Sequence, residues 1–425
     1  MIWIFLILIK SQTYAIVVAG SSSFKNYRHQ ADAFHMYNTL RSRGIPESNI
    51  VLFSYNDLLN SEQNPFPGKI INEPNGPNVY PGDQCIDFSG PYVTAPVFYS
   101  VLYGNNQVGK RISLTENDTL LIFFNDHGAP GLLSMPRESG TKLYANELRD
   151  LFGKMKTERK FNKIFFVIEA CESGSVGEVI DVPDVFTITA SNAIDPSHAA
   201  KWDDNMNAFL SNEFTSNIFK FLENNVDSSV ENFVQYITNK TNKSDVCIFG
   251  DKSVMENKLS DFFGLGSVTN HDFNENEEDD DLGILMNAHS VFPASLLMML
   301  KKQPPNATEK KHQLIQSFNQ EMKRRKIINN RFREIYKHFD MEENINNANV
   351  KIQNWTCYKI VVTKAEKLCG PYDESSYHSL AVFANLCNNQ TDINIMKEVR
   401  KICAPKKVMH HTFRRKKPKH TQKKR

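Results

Sequence analysis

Two residues of this chain could together generate a thiolate nucleophile, Cys171 and His127. A short, wholly apolar run precedes each of them, at residues 164–168 and 120–124. A cysteine attacks a carbonyl carbon as its thiolate, and a nearby histidine can take up its proton. The backbone N–H groups of Gly128 and Cys171 could hold the oxyanion that forms in acyl transfer. A buried inert cysteine and a hydrogen-bonded histidine also fit this pattern, so the pair alone leaves both interpretations open.

The two apolar runs are typical of central strands that are buried on both faces of a mostly parallel sheet. Strand-like and helix-like segments alternate from Tyr14 to about Ser253, which favours helices on both faces of that sheet. Open α/β sheets bind ligands at the carboxyl ends of their strands. We therefore expect an α/β fold in which neighbouring strand ends carry the cysteine and the histidine. Strands are predicted at residues 15–19, 49–54, 120–124, 164–168 and 185–189, and helices at residues 30–43, 96–103 and 143–155.

Length and charge limit what the chain can be. Its 425 residues are enough for one large domain or two ordinary ones, and its hydrophobic share of 40% is sufficient for a core. The net charge of +2 argues for no particular partner. Residues 274–281 are strongly acidic and residues 406–425 are strongly basic, as is typical of solvated segments. The basic tail is expected either to be flexible or to contact an anionic surface.

The N-terminus has the features of a secretory signal. Its apolar run is too short to span a bilayer but matches the hydrophobic region of a signal peptide. Cleavage near residues 11–13 would preserve the predicted first strand, whereas cleavage after Ala15 would cut into it. We therefore assign residues 1–13 to a signal peptide and expect the secretory pathway. Glycosylation sequons agree with this route and occur at Asn117, Asn239, Asn242, Asn306, Asn354 and Asn389.

The last fifth of the chain contains Cys357, Cys369, Cys387 and Cys403 out of seven cysteines in all. An even number of clustered cysteines behind a secretory signal predicts two disulfides. A zinc site is the alternative, but no C-x-x-C pair is present. From Ala307 onward, apolar residues recur at helical spacing and predict helix packing in a bundle. They are Leu314, Ile315, Phe318, Met322, Ile328, Phe332, Ile335 and Phe339.

Longer strings around these residues resemble legumain, the asparaginyl endopeptidase family of cysteine proteases. The resemblance is carried by residues 17–21, 26–33, 64–68, 93–94, 126–128 and 168–175. Two of the strings are highly specific: Asn-Tyr-Arg-His-Gln-Ala-Asp, which begins at Asn26, and Glu-Ala-Cys-Glu-Ser-Gly-Ser, which begins at Glu169. The resemblance spans about residues 15–405. It implies a caspase-like α/β fold, with a mostly parallel sheet flanked by helices, followed by an all-α C-terminal prodomain.

The resemblance also implies a role for each residue of the catalytic centre. Cys171 is the expected nucleophile, His127 is the acid and base, and Asn26 orients the imidazole. Asp126 matches a position where an aspartate can form a succinimide linked to peptide-ligase activity. A plain structural role for the Asp126 side chain is equally compatible with the sequence.

The family's pocket for the residue before the scissile bond recognises asparagine. A neutral side-chain amide needs both a donor and an acceptor, which Arg28 and Glu169 would provide. His29 and Ser197 match other pocket-lining positions. The sequence therefore predicts a preference for asparagine at this pocket.

One pocket position departs from the family pattern. Where the family has an acidic residue, an ungapped match from Asp195 falls on Asn212, which brings no charge. Because residues 191–214 match the family poorly, Asp203 or Asp204 could fill this position through a shifted loop. Tolerance of aspartate in the substrate at acid pH is therefore left open.

The resemblance divides the chain into a signal peptide and four further parts. These are a peptidase domain at residues 14–264, a linker and activation peptide at residues 265–306, a helical disulfide-bonded prodomain at residues 307–405 and a basic tail at residues 406–425. A short apolar helix is expected within the linker, at residues 290–302. The prodomain would cover the active site until self-cleavage after an asparagine at acid pH.

Disulfide pairing and the cleavage site are also implied by the resemblance. The expected pairs are Cys357 with Cys387 and Cys369 with Cys403. Asn306 lies where the family's activating cleavage falls, although a glycan on its own sequon would hinder that cleavage. The alternative sites are Asn270, Asn274, Asn276 and Asn287.

We therefore expect a cysteine endopeptidase that cleaves after asparagine, is made as a zymogen and activates itself at acid pH. Its expected location is the lysosome or vacuole, or outside the cell, and ligation of peptides is a further expected activity. The expected partners are polypeptides with exposed asparagine, the chain's own prodomain and cystatin-type inhibitors. No cofactor, metal ion or nucleic acid is expected.

Two alternative functions share this fold. The first is the catalytic subunit of the glycosylphosphatidylinositol transamidase, against which the four-cysteine prodomain and the string around Cys171 argue. The second is an inactive legumain-like binding protein. The presence of Cys171, His127 and Asn26 argues against that second alternative.

Overall fold

The computed structural model describes residues 11–266, 282–341 and 348–403. The apolar part of the expected signal peptide, the acidic run at residues 274–281, the basic tail and the alternative cleavage sites Asn270, Asn274 and Asn276 lie outside these ranges. Within these ranges, no helix combines the length and the apolar character needed to cross a bilayer.

The described residues form strands in the first two thirds of the chain and helices throughout. The strands are β1 (Thr13–Ala19), β2 (Ile50–Ser54), β3 (Phe88–Ser89), β4 (Thr119–Asn125), β5 (Gly128–Ala129), β6 (Leu132–Ser134), β7 (Lys142–Tyr144), β8 (Lys163–Glu169), β9 (Val185–Thr189), β10 (His198–Asp203), β11 (Ala208–Asn212), β12 (Cys247–Gly250) and β13 (Met286–Asn287). The α-helices are α1 (Tyr27–Ser42), α2 (Ala95–Tyr103), α3 (Ala145–Thr157), α4 (Gly174–Gly177), α5 (Glu213–Asn224), α6 (Val230–Lys240), α7 (Ser260–Phe263), α8 (Val291–Lys302), α9 (Thr308–His338), α10 (Trp355–Cys369), α11 (Ala381–Asn389) and α12 (Asp392–Cys403).

A seven-stranded sheet in the order β12-β9-β8-β4-β1-β2-β3 forms the centre of the first part of the chain. Neighbouring strands are parallel except for β12, which is antiparallel to β9. Because helices cover both faces, successive residues of a strand enter different cores: Ala15 and Val17 pack into one apolar cluster, and Ile16 and Val18 into the other. This explains why the central strands are wholly apolar instead of alternating. The expected mostly parallel α/β sheet is confirmed.

The first strand begins two residues earlier than the sequence predicts. Thr13 pairs with Thr119 across β1 and β4, and its hydroxyl donates to the backbone oxygen of Asp261 at 3.0 Å. These polar contacts extend the strand beyond its apolar stretch, which is why hydrophobicity alone places the start too late.

Two small antiparallel sheets are absent from the predicted elements. One is β5-β6-β7, and the other is β11-β10-β13. In the second sheet β13 comes from the linker, where Asn287 pairs with His198 and Met286 pairs with Ala199. The linker is therefore anchored to the peptidase fold as an added strand, directly before α8.

The C-terminal region is all-helical and packs on the peptidase fold. Its two disulfides are Cys357–Cys387 and Cys369–Cys403, in the expected pairing. One apolar cluster combines residues of the prodomain helices with Leu132 from β6 and other residues of the same small sheet.

The apolar stripe of α9 is only partly buried. Phe332 and Ile335 lie in the core, but 41% of Ile315 and 44% of Met322 are exposed. The expectation that the whole stripe packs in a bundle is therefore wrong. The reason is length, because α9 has 31 residues whereas α8 and α12, on which it packs, have 12 each.

Candidate active site

The register between β4 and β8 places the two expected catalytic residues side by side. Asn125 pairs with Glu169 at the end of these parallel strands, and His127 and Cys171 each follow two residues later. Gly128 packs directly on the next turn, because a Cβ atom there would lie 2.0 Å from the backbone oxygen of Cys171. Only glycine allows the backbone at residue 128 to approach the backbone of Cys171 this closely.

His127 is held by Asn26, which lies just before α1. The Oδ1 atom of Asn26 is 3.0 Å from Nε2 of His127, and its Nδ2 donates to the backbone oxygen of Ser22 at 3.1 Å. Because the Asn26 amide donates on its other side, Nε2 of the imidazole carries the proton and Nδ1 is left to accept one. Burial lowers the pKa of His127 well below its usual value, and the positive charges of Arg28 and Lys25 lower it further. The ring is therefore a neutral base.

Cys171 is buried at the turn after β8. Its Sγ lies 4.0 Å from Oγ of Ser197. The residue after it, Glu172, has a φ of 49°, in the left-handed region that residues other than glycine seldom adopt. The N–H of Glu172 donates to the backbone oxygen of Asp195 at 2.9 Å, which fixes this turn.

A third residue lies beside the cysteine, His289 from the linker. A ring nitrogen of His289, the Glu172 carboxylate and the Cys171 sulfur all lie within 4.8 Å of one another. Burial alone lowers the pKa of His289, but the Cys171 sulfur and the Glu172 carboxylate outweigh burial and raise it well above its usual value. No sequence signal pointed to His289, because the long-range pairing of β13 with β10 positions it.

Arg28 and Asn212 form the inner part of the expected specificity pocket. Nε of Arg28 donates to Oδ1 of Asn212 at 2.8 Å, and both side chains are buried. The Asn212 amide donates in turn to Asp32 at 2.8 Å and to Asn125 at 3.3 Å. Both the oxygen and the nitrogen of the Asn212 side chain are thus hydrogen-bonded within the protein, and Asn212 fixes the position of the Arg28 guanidinium. Asp32, which sequence reasoning missed, also accepts hydrogen bonds from Ser211 and Asn72.

Glu169 presents one free oxygen next to this arginine. Its Oε2 accepts from the backbone N–H and the hydroxyl of Thr215, at 3.2 and 2.9 Å. Its Oε1 is buried and has no hydrogen-bond partner of good geometry among the described residues, although the nearby Ser197 hydroxyl acts to lower the pKa of this carboxyl. Burial, followed by the charge of Asp32, raises the pKa of Glu169 to about 8. Asp203 and Asp204, the two candidates for the acidic pocket position, instead stabilise the β10–β11 turn. Asp203 accepts hydrogen bonds from backbone N–H groups, and Asp204 accepts one from the Trp202 side chain.

His29 and Asp126 lie together next to His127, the expected catalytic histidine. Nδ1 of His29 is 2.8 Å from the Ser21 hydroxyl and 3.3 Å from Oδ1 of Asp126. The His29 ring meets the His127 ring edge-on, with centroids 4.9 Å apart. Burial raises the pKa of Asp126 to about 8. The expected pocket residue His29 therefore also supports the catalytic ring.

The C-terminal region covers this site. The Tyr377 hydroxyl lies 2.9 Å from that of Ser134, and the Tyr377 ring lies 6.2 Å from the ring of His127. A cavity of about 160 Å³ remains between Asn26, His127 and the prodomain segment that includes Tyr377. This prodomain segment thus lies directly against Asn26 and His127.

Comparison with known proteins decides the family. A profile of the peptidase C13 family matches residues 13–269, and a profile of the legumain prodomain matches residues 316–403. The chain belongs to the peptidase C13 family. Legumain of Bos taurus is 30% identical, over 92% of this chain and 92% of that protein. The vacuolar-processing enzyme of Vicia sativa is 30% identical over 88% and 82%, and legumain of Rattus norvegicus is 35% identical over 59% of each chain.

As a C13 peptidase, the protein is a legumain-type cysteine endopeptidase with its own inhibitory prodomain. The expected resemblance and the expected enzyme class are thereby confirmed. The pairing of the peptidase and prodomain profiles favours the legumain type over the transamidase alternative.

Proposed function

We propose that this C13 peptidase hydrolyses the peptide bond on the carboxyl side of asparagine. The supporting observation is the free Oε1 of Glu169 beside the buried guanidinium of Arg28. An asparagine side chain would donate its NH₂ group to Glu169 and accept from Arg28 through its carbonyl oxygen. Asn212 keeps Arg28 oriented, and Ser197 lies between this pocket and Cys171.

The chemistry follows from the neutral imidazole. Nδ1 of His127 takes the Cys171 proton while Sγ attacks the carbonyl carbon, and the backbone N–H groups of Gly128 and Cys171 stabilise the oxyanion. The C–N bond then breaks as His127 returns the proton to the leaving amine. Water, deprotonated by the same histidine, hydrolyses the thioester and restores the thiol. Asn26 acts by orienting the ring throughout.

The chain acts as a zymogen that activates itself at acid pH. Asn306 is the proposed cleavage site, because it is exposed in the short connection between α8 and α9. Asn287 is less accessible, since it is half-buried in β13 and its side chain accepts from the N–H of His289. Cleavage after Asn306 would separate the peptidase domain, its linker and α8 from the helical prodomain.

Peptide ligation is a second proposed activity. Asp126 is buried beside His127, and its raised pKa keeps the carboxyl protonated near neutral pH. Attack of the His127 backbone nitrogen on the Asp126 side-chain carbon, with loss of water, would form the succinimide. A structural role remains the alternative, in which Asp126 only packs against His29.

We assign the protein to the secretory pathway, with the lysosome or vacuole as its site of action. The name of the Vicia sativa relative places that enzyme in the vacuole. The sequon asparagines are all exposed, as attachment of a glycan requires. Cystatin-type inhibitors and an anionic surface for the basic tail are further proposed partners. The profile matches, at residues 13–269 and 316–403, support the proposed division into a peptidase domain and a prodomain.

An acid-activation assay with fluorogenic peptides tests this function. The acid-treated precursor should cleave a peptide with asparagine before the reporter group, and Cys171→Ala should not. Glu169→Gln should lower kcat/KM for that peptide by about 5- to 150-fold, the equivalent of about 1–3 kcal/mol for a lost buried hydrogen bond. Glu223→Gln, at an exposed carboxylate, is the matched control. No turnover by the wild type, or equal turnover by Cys171→Ala, would contradict the proposal.

A further inference from the structure

We propose that the latent form of this peptidase contains a zinc-binding site formed by Cys171, Glu172 and His289. This inference goes beyond the proposed function, because it concerns a ligand of the uncleaved precursor. It also departs from the expectation of no metal ion that the sequence supports.

The positions of the three side chains suit a small cation. Their ligand atoms lie within 4.8 Å of one another, and Nε2 of His289 is 3.3 Å from Oε1 of Glu172. Zinc bonds of about 2.0–2.3 Å in a tetrahedral site hold ligand atoms roughly 3.3–3.7 Å apart. The distance between the His289 nitrogen and the Glu172 oxygen is already in this range. The Cys171 sulfur, which lies within 4.8 Å of both, needs to move toward them by about 1 Å at most.

The polar atoms of this cluster lack well-formed hydrogen bonds. Among the described residues, Oε2 of Glu172 has no partner, and Oε1 of Glu172 has only Nε2 of His289, in an ion-pair contact at 3.3 Å that lacks hydrogen-bond geometry. Glu172 is 1% exposed, so water does not solvate its carboxylate freely. A buried carboxylate with only this one contact is costly to keep charged, and a divalent cation would lower that cost. This is the second, independent indication of a ligand.

The ligand types select the metal. A thiolate, an imidazole and a carboxylate form a mixed set that suits Zn²⁺, whereas Mg²⁺ and Ca²⁺ prefer oxygen ligands alone. Water would complete a tetrahedral site. The neighbouring His378 stacks on His289, with ring centroids 5.2 Å apart.

Two other clusters of potential ligands are already occupied by protein groups. In one of them, Nδ1 of His29 contacts Ser21 and Nε2 of His127 contacts Asn26. In the other, Glu321, Asp373 and Glu374 are neutralised by Arg324 and Arg325.

The site exists only while the linker is in place. His289 follows β13, whose pairing with β10 brings it to the nucleophile. The peptidase domain alone retains Cys171 and Glu172, which are too few ligands for tight binding. Zinc would therefore bind the precursor, occupy the catalytic thiolate and hold the linker against it. Release of the linker would release the metal.

Zinc titration of the full-length precursor tests the proposal. The protein is first treated with EDTA and then titrated with Zn²⁺ against a fluorescent chelator at neutral pH; the ligands give up their protons when the metal binds. We expect one equivalent for the wild type and at least about tenfold weaker binding for His289→Ala and for Glu172→Gln. His338→Ala, an exposed histidine of α9, should bind as the wild type does.

Cobalt provides a second readout that does not depend on activity. The Co²⁺-loaded wild type should show a thiolate-to-metal charge-transfer band that Cys171→Ala lacks. Circular dichroism identifies any variant that fails to fold. The zinc affinity of the remaining, folded ligand variants then tests the site. Failure of the wild type to bind zinc, or unchanged affinity in folded His289→Ala, would overturn the site. Both results are independent of whether the enzyme cleaves after asparagine.

Discussion

Arg325 donates a hydrogen bond from Nη1 to the backbone oxygen of His289, at 2.7 Å. The same guanidinium donates to Glu321 at 2.6 Å and to Glu374 at 3.0 Å. A single side chain of α9 thus ties the prodomain to His289, the linker residue that lies beside Cys171. Because Arg325 is itself buried, its charge is compensated only while these contacts are intact.

We expect Arg325→Ala to weaken the latent state. Removing Arg325 leaves Glu374 with only Lys25, at 3.7 Å, while Glu321 keeps its pair with Arg324. Loss of one partner from a buried ion pair costs up to roughly 3–5 kcal/mol. The variant should release active enzyme faster, and at a higher pH, than the wild type in a time course of peptide cleavage. Arg400→Ala, at an exposed position of α12, should behave as the wild type does. Equal activation rates for Arg325→Ala and the wild type would show that this arginine does not hold the linker.

The second prediction concerns pH. Burial alone raises the pKa of Glu321, but hydrogen bonds from Arg324 and Arg325 outweigh it and lower the pKa from 4.5 to about 2. A carboxyl whose pKa is depressed on folding stabilises the folded form above its unfolded pKa, and that contribution is lost as pH falls. Glu321 should therefore stabilise the latent form above pH 4.5 and lose this effect between pH 4.5 and 2.

The Glu321→Gln substitution tests this predicted loss of stability between pH 4.5 and 2. Denaturant unfolding of the catalytically inactive Cys171→Ala precursor, with and without Glu321→Gln, is measured across the pH range. The stability difference should be largest near neutral pH and shrink toward pH 2. A difference that does not change with pH would assign Glu321 a role other than ion pairing.

Asn26 offers a test of the catalytic histidine. In Asn26→Ala, the His127 ring loses the acceptor that fixes its tautomer, and kcat should fall by about 10- to 100-fold with little change in KM. Asn26→Asp keeps an acceptor, so it should restore part of kcat. The new carboxylate should also shift the pH profile upward, because it raises the pKa of His127. An unchanged profile in Asn26→Asp, or wild-type kcat in Asn26→Ala, would refute the positioning role.

Gly128 tests the close contact between the two strand ends. In Gly128→Ala, the new Cβ would lie 2.0 Å from the Cys171 backbone oxygen, so the backbone must shift. Overpacking of this kind costs about 1–3 kcal/mol and should displace the nucleophile. Gly153→Ala is the matched control, since nothing outside the neighbouring backbone of α3 lies within 4 Å of its Cβ position. That variant should gain about 0.5–1 kcal/mol in denaturant unfolding.

Sequence patterns predict the sheet and its catalytic edge because both depend on strong local signals. A wholly apolar strand such as β4 can be recognised by itself, and parallel strands place their carboxyl ends together wherever they pair. His127 and Cys171 therefore follow from two such runs. The pocket roles of Arg28 and Glu169 could be predicted only from the family resemblance, because a single buried ionisable residue creates no periodic sequence pattern.

The remaining parts of the site depend on contacts between distant segments. His289 reaches the nucleophile through a two-residue strand and through Arg325, 36 residues further along the chain. The support that Asn212 gives to Arg28 spans 184 residues. Neither contact leaves a local pattern, so only the folded structure reveals it.

The pairing of the linker with β10 has a consequence for what the mature enzyme can cut. Ala288 donates its N–H to the Ser197 oxygen at 3.0 Å, and the Lys201 N–H donates to the oxygen of Leu282 at 2.9 Å. When the linker strand detaches from β10 in the cleaved enzyme, these backbone groups of β10 and the residue before it form an open sheet edge. A polypeptide that replaces the linker there must be fully extended. An asparagine inside a helix of a folded protein should thus be resistant until that helix unravels, whereas one in an exposed loop should be cut.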